Sequence, residues 1–142
     1  MEGGTSADYL REKLARSHED LAEARDLLER SKYRFSVNRA YYAVFHIVSA
    51  TLTMMGHDRS KHSGVESAFH QYLIKPGLIE VEHGTTYKLA RKWREDADYA
   101  IGATFTEEAA GDILERCEQL VHRLEQFLHD RGWLEDEDNS AV

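Results

Sequence analysis

Leu10, Leu14, Leu21, Ala24 and Leu28 recur at near-heptad intervals with charged residues between them. The spacing predicts an amphipathic helix of about six turns over residues 7–31. Residues 1–6, which include two glycines, read as a flexible lead-in. A second helix is expected over residues 35–55, ended by Gly56. Val37, Tyr41, Val44, Phe45, Val48 and Leu52 leave it apolar around most of its circumference, so it should be the most buried element. Residues 57–60 then connect to a helix over 61–74 with Val65, Ala68, Phe69 and Tyr72 on its apolar side. Pro76 and Gly77 stop it, because proline cannot continue a helical ladder and glycine accepts a turn. Thr85 or Thr86 can open a fourth helix carrying Tyr87, Ala90, Trp93, Ala97 and Tyr99, with Gly102 at its end. Thr106 before Glu107 and Glu108 starts the last one, a capping hydroxyl followed by acids at the positive end of the dipole. That helix turns Ala110, Ile113, Leu114, Cys117, Leu120, Val121, Leu124 and Phe127 inward and frays near Arg131. The pattern predicts an all-α fold of about five helices packed as one bundle over residues 7–131, with an acidic mobile tail at 132–142.

A chain of 142 residues, 42% hydrophobic and 31% charged, has the size and balance of one globular domain. One cysteine, Cys117, allows neither a disulfide framework nor a thiolate zinc cluster, and its place on an apolar face makes it a small core residue. The longest apolar stretch, residues 40–50, is interrupted by His46 and Ser49 and is too short to span a membrane. The N-terminus has no basic start followed by an apolar run, so the expected setting is cytoplasmic, without membrane contact. Of the net charge of −8, Glu135, Asp136, Glu137 and Asp138 supply −4, and the remaining body is also −4. Broad electrostatic attraction to nucleic acid is therefore excluded, and any such contact has to be local. Two small basic groups could make one: Arg59, Lys61 and His62, and Lys88, Arg91, Lys92 and Arg94. Each also reads as an ordinary solvated face.

Chemistry concentrates in the segment Asn38-Arg39-Ala40-Tyr41-Tyr42-Ala43-Val44-Phe45-His46. Arg39 and His46 are seven positions apart, about 700° of helical rotation, so they share one stripe and lie about 10 Å apart along the axis. Asn38 lies beside Arg39, giving the most apolar helix a single polar edge that is costly to bury unpaired. Two readings follow. In one, the planar guanidinium of Arg39 neutralises a phosphate while His46 exchanges a proton with a nearby hydroxyl, the minimum needed to cleave RNA without a metal. In the other, Arg39 pairs with Asp98 or Glu95 and His46 bonds a backbone carbonyl. Arg94 and Asp98, four apart, can form a surface pair, or Asp98 can hold Arg39 or His46 in place. Lys61 and His62 form a further polar pair at a helix start, where anions are favoured.

Eight histidines raise the question of a metal. Di-metal bundles use Glu-x-x-His pairs, whereas Glu66/His70 and Glu118/His122 are spaced by four, and no His-Glu-x-x-His motif occurs. Gly3 and Gly4 lack the strand and spacing of a phosphate loop. Neither a metal nor a cofactor is expected.

Asn38-Arg39-Ala40-Tyr41-Tyr42-Ala43-Val44-Phe45-His46, then Lys61-His62-Ser63-Gly64-Val65, then Arg94-Glu95-Asp96-Ala97-Asp98-Tyr99, behind an acidic Leu-rich first helix, resembles the small stand-alone HEPN proteins of the toxin–antitoxin type. The resemblance runs over residues 10–128 and rests on the combination and order of the motifs. It implies an up-and-down helical bundle that commonly forms a homodimer. In active HEPN ribonucleases an arginine and a histidine meet their symmetry mates at the dimer interface as a metal-independent endoribonuclease site. Arg39 and His46 would take those roles as catalytic residues, with Asn38, Arg94 and Asp98 supporting them. The resemblance also implies a nucleotidyltransferase antitoxin as partner and RNA as substrate. The alternative it allows is a non-catalytic HEPN module that binds a nucleotidyltransferase partner or a nucleotide.

Overall fold

A computed structural model describes residues 2–58, 61–99 and 104–134. Helix α1 spans Glu2–Glu29, α2 Tyr33–Met54, α3 His62–Phe69, α4 Val81–Tyr99 and α5 Glu107–Asp130. Among the described residues there is no strand, and the architecture is the expected all-α bundle. Helix α1 already begins at Glu2, ahead of the expected start at residue 7. Residues 135–142 of the expected acidic tail at 132–142, Arg59 of the first basic group, Gly102 and the Tyr99 side chain lie outside the described residues.

The apolar circumference of α2 makes it the central rod, packed against α1, α3, α4 and α5. Val37, Tyr41, Val44, Ile47, Val48 and Leu52 are all buried on it. Its pairing with α1 is made by small residues. Ala24 of α1 and Ser36, Ala40 and Ala43 of α2 are all fully buried, and two hydroxyls stitch the backbones together. Ser17 Oγ donates to the Ala43 carbonyl at 2.7 Å, and Ser36 Oγ donates to the Ala24 carbonyl at 2.8 Å. Each buried hydroxyl is thus satisfied, which removes the desolvation cost of about 1–3 kcal/mol that an unpaired one would carry. The inner line of α1 is Leu10, Ser17, Asp20 and Ala24, while Leu14, Leu21 and Leu28 flank it half-buried. Helix α1 is therefore rotated from the leucine stripe that its hydrophobic period predicts, and a carboxylate faces the core.

Two further departures concern the middle of the chain. The expected third helix over 61–74 changes pitch after Phe69 and finishes as a π-helical turn, His70–Ile74, in which the Lys75 N–H donates to the His70 carbonyl at 2.8 Å. Helix α4 starts at Val81 rather than at Thr85 or Thr86, with Gly84 inside its first turn. Glycine is a poor helix former, so the expected start excludes it. Packing requires it here. A Cβ at Gly84 would stand 2.9 Å from His70 Cε1 and 3.3 Å from Ile74 Cγ1, where α4 meets the π-helical turn. Pro76 and Gly77 make the turn between them, with Gly77 at φ +83. At the start of α5 the expected cap is present, the Ala109 N–H donating to Thr106 Oγ1 at 3.0 Å.

The glycine yields a test of sign. Helix propensity alone makes Gly84→Ala stabilising by about 1 kcal/mol. Overpacking against His70 and Ile74 costs about 1–3 kcal/mol and should win. Urea unfolding is expected to show a lower midpoint for the alanine variant.

Candidate functional site

The polar edge of α2 does meet a carboxylate, but not the one expected. Asp20 of α1 stands between the two named residues: its Oδ1 accepts from Arg39 Nη1 at 3.1 Å, and its Oδ2 lies 3.5 Å from His46 Nε2. Asp98 and Glu95 are committed elsewhere. Asn38 Nδ2 donates to both Asp98 oxygens at 3.1 Å, and Arg94 Nη1 donates to Asp98 Oδ2 at 3.3 Å. Glu95 accepts from Arg91 at 3.2 Å. His46 reaches no backbone carbonyl; its Nδ1 is buried without a hydrogen-bond partner among the described residues, as is Asp20 Oδ2. The physical reason is the rotation of α1, which carries Asp20 onto the edge of α2 before any α4 side chain can reach Arg39.

Four of the five expected residues nevertheless belong to one hydrogen-bond network, with His46 beside it across Asp20. Arg39 donates through Nη2 and Nε to Asn38 Oδ1 at 3.0 and 3.3 Å, Asn38 donates to Asp98, and Asp98 accepts from Arg94. Aromatic rings wall the network. The Arg39 guanidinium lies 4.9 Å from the Tyr42 ring and that of Arg94 lies 4.9 Å from the Tyr41 ring. Such cation–π contacts favour the planar fork of arginine over lysine. With 13% of its side chain exposed, Arg94 is an inner residue and not the surface partner of Asp98 that spacing suggests.

His62 completes the wall. Its Nδ1 is 3.0 Å from the Tyr41 hydroxyl, and its ring stacks on Phe45 at 4.0 Å, while Phe45 meets His46 edge-on at 5.7 Å. Two imidazoles therefore flank one phenyl ring.

Protonation follows from burial and like charge. Burial pushes His46 down to about 4, helped by Lys13, Arg16, Arg39 and His62, so its imidazole is neutral at pH 7. Burial likewise lowers His62, with Arg94 adding to it. Asp20 is raised: the cost of burying its charge exceeds the attraction of Arg39. Burial also pushes Tyr41 up to about 12, so its hydroxyl stays protonated. Arg39 keeps 32% of its side chain exposed against 16% for His46, so the edge is partly open to an incoming group. A neutral imidazole beside a fixed, half-open guanidinium can accept a proton from a hydroxyl whose phosphate the guanidinium holds. Among the described residues no group of three or more His, Cys, Asp or Glu could hold a metal ion, and no helix is long and apolar enough to cross a membrane. Cys117 is buried in the core, its thiol pushed up to about 12.

The HEPN domain model matches residues 10–127, and the chain belongs to that family. A UPF0332 protein of Thermotoga maritima is 36% identical over 115 residues, covering 81% of this chain and 87% of that protein. A candidate toxin of Methanocaldococcus jannaschii is 36% identical over 112 residues, covering 79% and 83% respectively. The crystal structure of TT1696 from Thermus thermophilus superimposes with a TM-score of 0.73, covering 84% of this chain and 98% of that chain at 17% identity, a likeness of fold.

The raised carboxylate and its guanidinium partner give an asymmetric double-mutant cycle. Asp20→Asn keeps the shape and removes an unfavourable buried charge, so it should change stability by less than about 1 kcal/mol. Arg39→Ala strands the carboxylate and should cost about 2–3 kcal/mol. The double variant is expected to recover most of that loss in denaturant unfolding at pH 7.

Proposed function

We propose that this chain is a metal-independent endoribonuclease, the toxin of a toxin–antitoxin pair, acting as a cytoplasmic homodimer. The observation that carries the reading is the shared edge of α2, where Arg39 and a neutral His46 stand on either side of Asp20. Arg39 holds the scissile phosphate through its donor fork and stabilises charge developing on its oxygens. His46 takes the proton of the 2′-hydroxyl as its oxygen bonds to phosphorus. The bond from phosphorus to the 5′-oxygen breaks, and that oxygen takes the proton that the His46 imidazole has just accepted, which returns the imidazole to its neutral form. The products are a 2′,3′-cyclic phosphate and a 5′-hydroxyl. Asp20 fixes the orientation of Arg39 and stands beside His46, and Asn38, itself held by Asp98, holds Arg39 from its other side. Binding to phosphate requires Arg39 to share its fork between substrate and Asp20, which its exposed share permits. Names of relatives support the toxin role, since one of them is itself named as a candidate toxin.

One observation favours a second reading. Arg39 is already neutralised by Asp20, and the whole chain carries −8, an arrangement that suits a non-catalytic module docking a nucleotidyltransferase partner or a nucleotide.

Cleavage of RNA by the purified protein in excess chelator separates the two. The nuclease reading expects activity that falls at least about a hundredfold in His46→Ala and in Arg39→Lys, which keeps a charge opposite Asp20. Absence of cleavage above these variants, with no growth arrest on expression, would leave the docking module. The pH profile is a separate check. His46 acts as its neutral form, which persists down to about 4, so kcat/KM should lose its acid limb near that pH and not near the ordinary histidine value.

A further inference from the structure

The basic group Lys88, Arg91, Lys92 and Arg94 is only partly used by the α2 edge, and the rest of it lies along a groove. Between α3 with its π-helical turn and α4 runs a cleft of about 800 Å³, walled by Ser63, Glu66, His70, Lys75, Lys88 and Arg91. Its charges divide unequally. Arg91 is held by two carboxylates, donating to Glu66 at 2.6 Å and to Glu95 at 3.2 Å, and these three side chains leave a charge of −1 at that end, which the two lysines of the lining exceed by one. Lys75 and Lys88, at the other end, are the cations left over within the lining. The Ser63 and Ser67 hydroxyls and the Gln71 amide add neutral donors. The cleft is thus a locally cationic, donor-rich channel on a chain of charge −8.

Its position gives the channel a meaning. Ser63 follows His62, whose ring stacks on Phe45 beside His46, and Glu95 follows Arg94, which binds Asp98. The groove therefore starts where the aromatic wall of the candidate site ends and runs toward Lys75. The floor is built by the π-helical turn, a distortion that recurs at functional sites, and glycine at position 84 lets α4 close over the His70 ring.

We propose that this groove binds the phosphodiester backbone of single-stranded RNA flanking the scissile bond, with Lys75 and Lys88 each neutralising one phosphate. The proposal rests on the ribonuclease reading and adds the path of the substrate strand. A single strand fits the chemistry because the lining offers point charges and hydroxyl donors at intervals, without a deep apolar pocket for one enclosed ligand.

The test uses the full chain and a 2′-O-methyl RNA 12-mer of mixed sequence, which binds without being cut. Each phosphate contact on a single strand contributes about 0.7 to the slope of log K against log salt. Lys75→Gln combined with Lys88→Gln should lower that slope by about 1.4 and weaken binding about tenfold at 0.1 M salt. Arg116→Gln with Arg131→Gln, on and just after α5, removes the same charge elsewhere and should do neither. Cleavage of a dinucleotide should be unchanged in the lysine variant, while KM for long RNA rises with kcat held. If the protein cuts RNA and the lysine variant binds the 12-mer as the wild type does, the groove proposal is overturned and the ribonuclease reading stands. A wild type that neither cuts nor binds RNA overturns both. Oligoglutamate that displaces the 12-mer at equal charge concentration would overturn the phosphodiester assignment in favour of an acidic peptide.

Discussion

The close approach of α1 to α2 governs everything built around it. Small side chains at Ala24, Ser36, Ala40 and Ala43 bring the two backbones near enough for Ser17 and Ser36 to bond carbonyls of the opposite helix. A larger residue at any of these positions would hold the helices apart and break a buried hydroxyl contact at the same time. That register fixes the rotation of α1, and the rotation delivers Asp20 to the polar edge of α2. Asp20 in turn decides where Arg39 points and what lies beside His46. A backbone contact between small residues therefore sets the geometry of a site made of large polar ones.

The placement of charge is unusual in its direction. Asp20 is not an anion stabilised by its arginine; burial costs it more than Arg39 returns, which is why its pKa rises. A stability optimum would not choose this arrangement, since buried ion pairs seldom repay their desolvation. What the carboxylate supplies is geometry. It occupies one face of the guanidinium and stands beside one nitrogen of the imidazole, and the Asn38–Asp98–Arg94 chain holds the guanidinium from the opposite side. Strain of this kind is common where residues are held ready for a partner, because stability and function then pull on the same side chains.

Much of the architecture was legible in hydrophobic spacing. The five helices, the buried α2, the stop at Pro76 and Gly77 and the Thr106 cap all follow from periodicity and terminus chemistry. The misses have one origin. Spacing rules treat a polar residue as facing water and a glycine as ending a helix, and both assumptions fail where another element comes close. Asp20 shares a face with Leu10, Ser17 and Ala24, so a reading that weighed small and polar residues at heptad spacing could have found it. Gly84 gave no such signal, because the His70 ring that requires it belongs to a different part of the chain. The Arg39 and His46 stripe was visible since both lie on one helix, whereas their partner lay on another. Asp98 pairs with Asn38 and Arg94 rather than with Arg39.

Net charge and local charge can be reconciled by following where the cations are spent. A chain at −8 repels a polyanion at long range, and that repulsion is screened beyond about 8 Å at physiological ionic strength. At contact distance, only the residues lining the path count. Arg39 and Arg94 are packed against tyrosine faces and held by carboxylates, so their charge is fixed in position and partly compensated. An arginine so restrained loses little conformational freedom on meeting a phosphate, because its rotamer is already set by the ring beneath it. If the chain acts on RNA as proposed, the acidic surroundings act as a filter: they weaken indiscriminate binding, and leave attraction only where a strand places its phosphates on the few uncompensated cations.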